Sequence, residues 1–365
     1  MKVSIGSKII DGPYGGGNLF VRNLALYLTK TGNCVTYNLD DKDIDIILII
    51  NPLKNSESAT FDHLDALYYS KFINPNAIIV HRINECDERK NTKNVNSQIM
   101  YANQFADFTV YVSKWMSNLY KEKGLNVDFS KVILSGSDIN IFNQNKKEYW
   151  NKKSIFKIVS HHWSQNWMKG FDTYKLIDDL LDKPVWSKRI SFTYIGNLPH
   201  NFLFRNTQVL QPLSGTKLAD KLKSFHGYIT GSINEPSGNH HIEAMQCGLP
   251  ILYINSGGIP EYCKDNGVVF ENNNLESQLD MFITNYDKYV TKLKKYTNNS
   301  DRMSKEFLDL FVNLIENKKT IISSRSTINS IQAYFLYKKS KIRKKINKLL
   351  SILKSKLSIL KKRDL

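Results

Sequence analysis

Short apolar runs alternate with stretches of helical spacing through the first half of the chain. Several runs are apolar at consecutive positions, so both faces of each strand would be covered, as parallel sheets flanked by helices require. Helical spacing covers Asn18–Thr31 and Asp62–Lys71. Strands are predicted at Lys2–Ile5, Cys34–Leu39, Ile44–Ile50, Ala77–His81, Phe108–Val112 and Lys131–Leu134. The alternation predicts a doubly wound α/β domain.

A polar, lysine-rich stretch at Asn143–Lys153 interrupts this alternation and is the predicted linker. The pattern then starts again. The predicted strands are Ile155–Ser160, Ser191–Ile195, Thr207–Leu210, Gly227–Thr230, Pro250–Ile254 and Gly267–Phe270, and the predicted helices are Tyr174–Leu181, Lys217–Lys223, His240–Cys247 and Leu275–Tyr296. We therefore predict an α/β protein with two Rossmann-like domains facing across a cleft, residues 1–150 and 151–330, followed by a tail at 331–365.

Length and composition agree with two globular domains. The chain has 365 residues, of which 41% are hydrophobic and 23% are charged. Its four cysteines lie far apart without a C-x-x-C pair, which argues against a zinc site or a disulfide framework and favours a reducing compartment. No signal peptide is visible and the apolar runs are too short to span a bilayer, so we expect a cytoplasmic protein.

The positive charge belongs mainly to the tail. From Lys338 onward there are twelve Lys or Arg and one acid, so the tail carries 12 − 1 = +11 of the net +17 and leaves 17 − 11 = +6 for the rest. This distribution removes the main support for nucleic-acid binding by the body of the protein. Apolar residues recur in the tail at steps of three and four: Ile342, Ile346, Leu349, Leu353, Leu357 and Leu360.

That spacing predicts an amphipathic helix with its lysines outward. Such a helix suits an anionic membrane surface, where each basic residue contributes about 1 kcal/mol near the lipid. We therefore expect peripheral contact with the inner face of a membrane. A coiled-coil or docking helix and a disordered basic tail are the alternatives.

A glycine-rich loop follows the first predicted strand. The segment Gly12-Pro-Tyr-Gly15-Gly16-Gly17-Asn18 opens the first helix, where glycines let the backbone approach a ligand and helix amides face an anion. Phe20 stands where the dinucleotide fingerprint needs its third glycine, which disfavours a dehydrogenase. A tight turn without a ligand would explain this loop equally well.

Two glutamates frame the most informative stretch, N-E-P-S-G-N-H-H-I-E-A-M-Q-C-G-L-P. Glu235 lies in the loop that leaves a strand, and Glu243 lies on the following helix. Ser237, Gly238 and Asn239 fall at the helix start, where free amides and the positive end of the helix dipole would face a diphosphate. Without the blocks that follow them, the two glutamates would be read as a loop charge and a surface helix residue.

Here the chain resembles the retaining GT-B glycosyltransferases, in particular family 4 (glycosyl transferases group 1). Glu235 and Glu243 match the E-x7-E motif, and E-A-M-Q-C-G-L-P and S-G-G-I-P-E match the blocks downstream of it. The other landmarks occur in order: the glycine loop, V-Y-V-S-K-W at Val110–Trp115, S-G-S-D-I-N-I-F at Ser135–Phe142 and K-G-F-D at Lys169–Asp172. The resemblance spans roughly residues 1–270, and together the ordered motifs are a strong signal.

The resemblance implies roles for individual residues. Glu235 would stabilise the transition state at the donor sugar, Glu243 would accept hydrogen bonds from the ribose, and Lys169 would neutralise the leaving diphosphate. His81 takes the place of the family's histidine near the sugar, although a histidine at a strand end often only bonds backbone. The implied donor-binding residues are Glu243, Gly15, Gly16, Gly17, Ser237, Gly238, Asn239 and His240.

The chain departs from the family at one charged position. The family has an arginine several residues before the lysine, and this chain has S-H-H-W at Ser160–Trp163 instead. A histidine, Arg82 or Arg205 would have to replace that charge. The polar run H-R-I-N-E-C-D-E-R-K begins at His81, and within it Arg82, Asn84 and Asp87 are candidate acceptor-binding residues.

The function that follows is transfer of a sugar from a nucleotide-sugar donor to a glycan or lipid-linked acceptor, with retained configuration, as in polysaccharide biosynthesis. We expect a hexosyltransferase-type enzyme that needs no cofactor and no metal. The histidines that are adjacent in the sequence would point in different directions, and no third residue has the spacing of a metal ligand. Two alternatives stay open. One is a nucleotide-sugar epimerase of the same fold, for which Glu85, Asp87 and Glu88 would be the acid–base carboxylates. The other is a catalytically weak nucleotide- or glycan-binding scaffold.

Overall fold

The computed structural model describes residues 1–10, 15–52, 58–325 and 328–361, with side chains at 347–348, 351–352 and 354–361 left out. Gly12 of the glycine loop and the side chains of Leu357 and Leu360 lie outside the described part. Within it, strands and helices alternate from the first residues to about residue 270, as the apolar pattern predicts.

The first sheet has six parallel strands in the order β2-β1-β3-β4-β5-β6. The strands are β1 Lys2–Ile5, β2 Cys34–Thr36, β3 Ile46–Ile49, β4 Ile78–Ile83, β5 Phe108–Tyr111 and β6 Ser130–Val132. Every residue of β3 and β4 is buried, which explains why these strands are apolar at consecutive positions. The strand order reverses between β1 and β3, and the helix that begins at Gly15 is the next described element after β1.

The predicted edge strand Cys34–Leu39 is shorter in the structure. Strand β2 pairs with β1 alone, over three residue pairs from Lys2 with Cys34 to Ser4 with Thr36. Beyond Thr36 the chain turns away, and the Asn38 carbonyl accepts a hydrogen bond from the Ser4 hydroxyl. After Thr36, a hydrogen bond from a side chain therefore takes the place of the backbone hydrogen bonds between β1 and β2.

Helices cover both faces of the first sheet. They are α1 Gly15–Lys30, α2 His63–Phe72, α3 Val95–Asn103 and α4 Lys114–Glu122. A capping box begins α2, because the Asp62 side chain accepts from Leu64 N and Asp65 N while the Asp65 side chain accepts from Asp62 N. The sequence analysis did not predict α3 and α4.

The second sheet also has six parallel strands, in the order β12-β11-β10-β7-β8-β9. The strands are β7 Phe156–His162, β8 Ile190–Gly196, β9 Gln208–Leu210, β10 Gly227–Thr230, β11 Ile251–Ile254 and β12 Gly267–Phe270. This is the Rossmann order, with its reversal between β7 and β10. Ligands of such sheets bind outside the carboxyl ends of the two strands at that reversal, which here are His162 and Thr230.

The helices around the second sheet correct one prediction. They are α5 Phe171–Leu180, α6 Pro184–Ser187, α7 Gly215–Lys223, α8 Asn239–Gln246, α9 Ile259–Cys263, α10 Leu275–Thr284 and α11 Tyr286–Leu293. The single helix predicted over Leu275–Tyr296 is therefore wrong. Asn285 separates α10 from α11, and its side-chain amide donates to the Met281 carbonyl at 2.9 Å. That local side-chain bond competes with continuation of the helix.

After α11 the chain returns to the first sheet. Helix α12 (Ser300–Glu316) places Phe307 and Phe311 in the same apolar core as Val3 and Phe20, and α13 (Lys318–Ser323) follows it. Arg325 then forms a bidentate pair with the buried Asp107, with both nitrogen–oxygen distances at 2.7 Å. The segments that follow the second sheet are thus held by the first.

The last helix, α14 (Ser330–Lys361), lies against α2. Ala333 is fully buried in a small cluster with Leu64, Leu67 and Phe105, and the Tyr337 ring stacks on Tyr68 at 4.1 Å between centroids. Of the alternatives for the tail, a docking helix is therefore present over its first turns. In the described part, no helix is both long and apolar enough to cross a bilayer.

Candidate active site

The Glu235 carboxylate lies where the carboxyl edges of the two sheets meet. Its side chain is buried in the loop after β10. Lys169, from a short 3-10 helix (Trp167–Lys169) after β7, donates a hydrogen bond to Oε2. Arg89, from the loop after β4 of the first sheet, places Nε 3.3 Å from Oε1. One buried carboxylate is therefore held between two cations from opposite sides of the cleft.

These two cations set the charge state of Glu235. Burial by itself would raise the pKa of the carboxyl group, but the nearby charges of Arg89 and Lys169 outweigh it and hold the pKa well below its usual range. Burial also lowers the pKa of Lys169, against the attraction of Glu235. The pKa of Arg89 is raised, chiefly by the charge of Glu235. The carboxylate is consequently ionised at neutral pH.

Backbone geometry on both sides fixes the position of Glu235. Gly238 has φ of +67°, and a Cβ there would lie 2.8–2.9 Å from His240, His241 and Glu235 side-chain atoms, so only glycine fits. On the other side, the amide of Gly258 donates to the Glu235 carbonyl at 2.8 Å. The S-G-G-I-P-E block thus supports the glutamate that precedes it in the chain.

Glu243 lies on α8, the helix that follows Glu235 in the chain. It is buried on α8, and Oε2 is 3.0 Å from His161 Nε2 at the end of β7. His162 Nε2 lies 2.5 Å from the Tyr174 hydroxyl. The two histidines that stand where the family has an arginine therefore contact Glu243 and a core tyrosine.

Three buried histidines near Glu235, namely His162, His240 and His241, are neutral. Burial lowers the pKa of His162 and His240 well below the usual value, and lowers that of His241 to about 3. His240 Nε2 is 2.9 Å from the Thr230 hydroxyl, which orients its ring at the start of α8. Among the residues that the structure describes, no three His, Cys, Asp or Glu side chains are grouped so that they could hold a metal ion.

The two helix starts predicted to bind anions lie against each other. Helix α1 begins at Gly15, and a Cβ on Gly16 would lie 3.1 Å from Asn239 Nδ2 at the start of α8. No side chain caps α8 at Gly238, and Ser237 is half-buried beside it. The structure therefore brings the glycine loop and the E-x7-E segment together across the cleft, with Gly17 in the first turn of α1.

His81 and Arg82 contact other parts of the first sheet. Strand β4 continues past both, so His81 is not at the strand end. Its Nδ1 is 3.1 Å from Asn103 Nδ2, and burial lowers its pKa to about 3. Arg82 stacks over Phe20 at 3.9 Å, donates to the Ser135 hydroxyl at 3.4 Å and has a pKa lowered by burial to about 10. Among the described contacts, neither shares a hydrogen bond or ion pair with Glu235.

The candidate acceptor residues lie in the loop after β4. The Asp87 carboxylate accepts from Val95 N at 3.0 Å and Asn96 N at 2.9 Å, so it caps the start of α3. Asn84 is half-buried in the same loop. Arg205 pairs with Asp179 and Asp182 at 2.6 and 2.7 Å on the exposed surface, and the structure does not bring it to Glu235.

Two residues of the site were missed by the sequence analysis. Arg89 belongs to the polar run that begins at His81, but its spacing gave no sign that it would reach the second sheet. The Glu261 carboxylate accepts from the amides of Lys114 and Trp115 at 2.7 and 2.8 Å, and so links α9 to the start of α4. The sequence analysis noted both the V-Y-V-S-K-W and the S-G-G-I-P-E motif. The two motifs were the signal available in the sequence, but the contact between them was not predicted.

Comparison with known proteins identifies a matching family and a matching fold. The family model for glycosyl transferases group 1 matches residues 201–301, which include Glu235 and Glu243. The resemblance to glycosyl transferases group 1 is thereby confirmed over this segment. No curated protein matches the chain in sequence.

Solved structures with this architecture are GT-B glycosyltransferases. HepE (Alr3699) from Anabaena, in complex with UDP, matches with a TM-score of 0.62 at 14% identity, over 86% of this chain and 100% of that chain. Another HepE structure contains UDP-glucose and matches with a TM-score of 0.56 at 15% identity, over 88% and 99% of the two chains. Sucrose-phosphate synthase from Thermosynechococcus elongatus matches with a TM-score of 0.58 at 12% identity, over 86% and 99%. The predicted GT-B fold, with two Rossmann-like sheets, is confirmed.

Proposed function

We propose that this protein transfers a sugar from a nucleotide-sugar donor to a glycan or lipid-linked acceptor, with retention of configuration, and that it needs no metal for this reaction. The observation that carries the proposal is the Glu235 carboxylate, ionised between Lys169 and Arg89 at the junction of the two sheets. The family match over residues 201–301 and the UDP and UDP-glucose in the HepE structures support a nucleotide-sugar donor.

The proposed roles follow from charge and position. The nucleotide lies against α8, where Glu243 accepts hydrogen bonds from the ribose and the free amides at the helix start face the diphosphate. The bond between the sugar's anomeric carbon and the diphosphate oxygen breaks, and the oxygen leaves with the electron pair. The acceptor hydroxyl attacks from the same face, and its proton passes to the departing diphosphate. Glu235 stabilises the positive charge that develops on the sugar.

Fixed cations carry the charge of the leaving group in this proposal. Lys169 is the first, as the family resemblance implies. Arg89 is the second and takes over the charge of the missing arginine, because it is the cation that reaches Glu235 from the other sheet. Both are held in place by buried contacts, so they need little reorganisation when the diphosphate departs.

The epimerase alternative would need free acid–base carboxylates in the loop after β4. Glu85 pairs there with Arg89 and Lys90 at 3.0 Å, and Glu88 pairs with Lys123 at 2.9 Å. Asp87 is the cap of α3. These pairings give the carboxylates structural partners, and sugar transfer is the reaction that the site supports best.

The experiment is donor turnover by the full chain. A panel of nucleotide sugars that includes UDP-glucose is offered with and without glycan and lipid-linked acceptors, and nucleotide diphosphate release and the anomer of the product are recorded. We expect release with one donor, a product of retained configuration, and a fall of about 100-fold in Glu235→Gln, since a transition-state charge interaction is lost. The exposed Glu271→Gln is the matched control and should keep wild-type turnover.

Three outcomes would count against the proposal. An inverted product removes retention, and wild-type turnover in Glu235→Gln removes the role of the carboxylate. Absence of release from every donor and acceptor favours the scaffold reading. Turnover that survives a chelator is the expected result for a reaction without a metal.

The tail bears on where the reaction takes place. Acceptors linked to lipid are presented at a membrane surface, and the basic helix α14 suits its anionic inner face. We include this location in the proposal.

A further inference from the structure

One face of helix α14 packs against the rest of the protein. Ala333 and Tyr337 pack against α2, and Lys344 pairs with Asp62 and Asp65 at 2.9 Å for each. Lys341 also pairs with Asp65 at 2.9 Å. These contacts fix the rotation of the helix about its axis, and they pair two of the tail's lysines with acids of α2.

A second apolar face of the same helix stays exposed. Its residues have 51–70% exposed fractions: Ile331, Phe335, Ile342, Ile346, Leu349 and Leu353. At about 100° of rotation per residue, all six fall within a sector of roughly 60°, on the side of the helix roughly opposite Ala333, Tyr337 and Lys344. They form one stripe about 33 Å long at ~1.5 Å per residue. We refer to these six residues as the apolar stripe.

Basic residues border the apolar stripe on both sides. On the helical wheel Lys338 and Lys345 lie along one border, and Lys339 and Arg343 lie along the other. All four are exposed. The sequence from Ser330 to Arg363 contains no Asp or Glu, so no acid offsets this charge.

We propose that the apolar stripe and its basic borders form a docking surface for an anionic lipid bilayer. The inference deepens the proposed location at a membrane and rests on that part of the proposed function, but it does not depend on the donor or the linkage. A single straight apolar stripe with cations on each border matches the interface of a bilayer, where apolar side chains enter the acyl boundary and cations meet anionic headgroups.

A second copy of the chain fits this surface less well than lipid does. Two stripes packed together would bring Lys338, Lys339, Arg343 and Lys345 of one copy beside the same cations of the other, without acids to pair them. The apolar stripe runs along the helix, so the axis of α14 lies parallel to the bilayer when the stripe is inserted. The rest of the protein then lies on the side of α14 that packs against α2. The surface therefore sets the orientation of the whole enzyme as well as its location.

The test is sedimentation of the full chain with vesicles. Vesicles of phosphatidylcholine alone are compared with vesicles in which about a third of the lipid is phosphatidylglycerol, at low and high salt. We expect binding to the anionic vesicles that falls at least ~10-fold on neutral vesicles and weakens with salt. The double variant Ile346→Glu/Leu353→Glu should bind the anionic vesicles at least ~10-fold more weakly, because it places charges in the apolar stripe.

The matched control is Met281→Glu/Val312→Glu. These two residues are each 42% exposed, on α10 and α12 outside the tail, so the control makes the same chemical change elsewhere. It should bind vesicles as the wild type does. Both double variants should keep wild-type release of nucleotide diphosphate with a water-soluble acceptor, since none of the four positions contacts the cleft residues described above.

Several results would overturn the proposal. They are equal binding by the stripe variant, no binding of the wild type to either vesicle, self-association that the stripe variant abolishes, and tighter binding to nucleic acid than to anionic vesicles. Vesicle binding that persists without any sugar transfer would leave the docking surface standing and reject only the transfer reaction. The two proposals therefore fail separately.

Discussion

At the scale of single residues, the charge on Glu235 depends on partners that are distant in the chain. Arg89 and Lys169 oppose the desolvation that would otherwise favour the neutral acid. These two ion pairs also join the two sides of the cleft through one carboxylate. The sequence identified Glu235 and Lys169 through the family resemblance, and it did not identify Arg89.

We expect Arg89→Ala to lower sugar-transfer kcat/KM at least ~10-fold, since removing one partner of a buried charge pair costs about 2 kcal/mol or more. The pKa of Glu235 should rise when Arg89 is absent, so the acidic limb of the pH–rate profile should move to higher pH. The profile is the measurement that separates this effect from a general loss of structure. Arg89→Lys should restore part of both.

The control for this prediction is Lys90→Ala. Lys90 is exposed next to Arg89 and pairs with Glu85, so it tests the general effect of removing a cation from the loop. Its profile should match the wild type. An Arg89→Ala enzyme with an unchanged acidic limb would contradict the assignment.

At the scale of elements, α14 is held to α2 by a few specific contacts. Asp65 serves two purposes, since it completes the capping box of α2 and pairs with Lys341 and Lys344. Burial would raise the pKa of Asp65, but the two lysines keep it below its ordinary value. The prediction of outward lysines did not include these two pairs, in which half-exposed Lys341 and Lys344 bind an acid of α2.

Asp65→Asn should loosen α14 without unfolding the rest. The loss of two part-buried ion pairs is worth about 1 kcal/mol, so backbone hydrogen exchange in residues 330–345 should accelerate roughly fivefold, with the exchange of the two sheets unchanged. Asp309→Asn is the control, because it removes an exposed pair with Lys305 on α12. Equal exchange in α14 for the variant and the wild type would show that the aromatic contacts alone hold the helix.

At the scale of the whole molecule, buried neutral histidines link stability to pH. His81 and His241 each have a pKa lowered to about 3 in the folded protein, whereas a histidine in the unfolded chain has a pKa of about 6.5. Between these values the unfolded chain binds protons that the folded chain does not. Their contribution to stability is therefore complete above about pH 6.5 and is lost as the pH falls toward about 3.

We expect the free energy of unfolding, measured by urea titration at about pH 7, 6 and 5, to fall by up to about 1.4 kcal/mol per pH unit for each such histidine. His81→Asn should give a shallower dependence than the wild type. The exposed His200→Asn should leave the slope unchanged. A stability that stays constant down to about pH 5 would contradict the neutral state of these rings.

Much of the fold followed from the apolar pattern. Consecutive apolar residues in strands such as Ile44–Ile50 indicate a sheet covered on both faces, and covered sheets of this kind are parallel. The E-x7-E segment likewise located Glu235 in the loop that leaves a strand and Glu243 on the next helix, as the structure has them. Both inferences concern residues close together in the chain, where the period and the order of residue types determine local structure.

Contacts between distant segments were decided by the tertiary structure alone. The chain order does not reveal that α12 returns to the first sheet, that Arg89 reaches Glu235, or that Glu261 binds the start of α4. It also did not show which lysines of the tail meet Asp62 and Asp65. Apolar periodicity specifies which face of an element is buried, but the partner of that face, and of each buried charge, is set by how the elements pack in three dimensions.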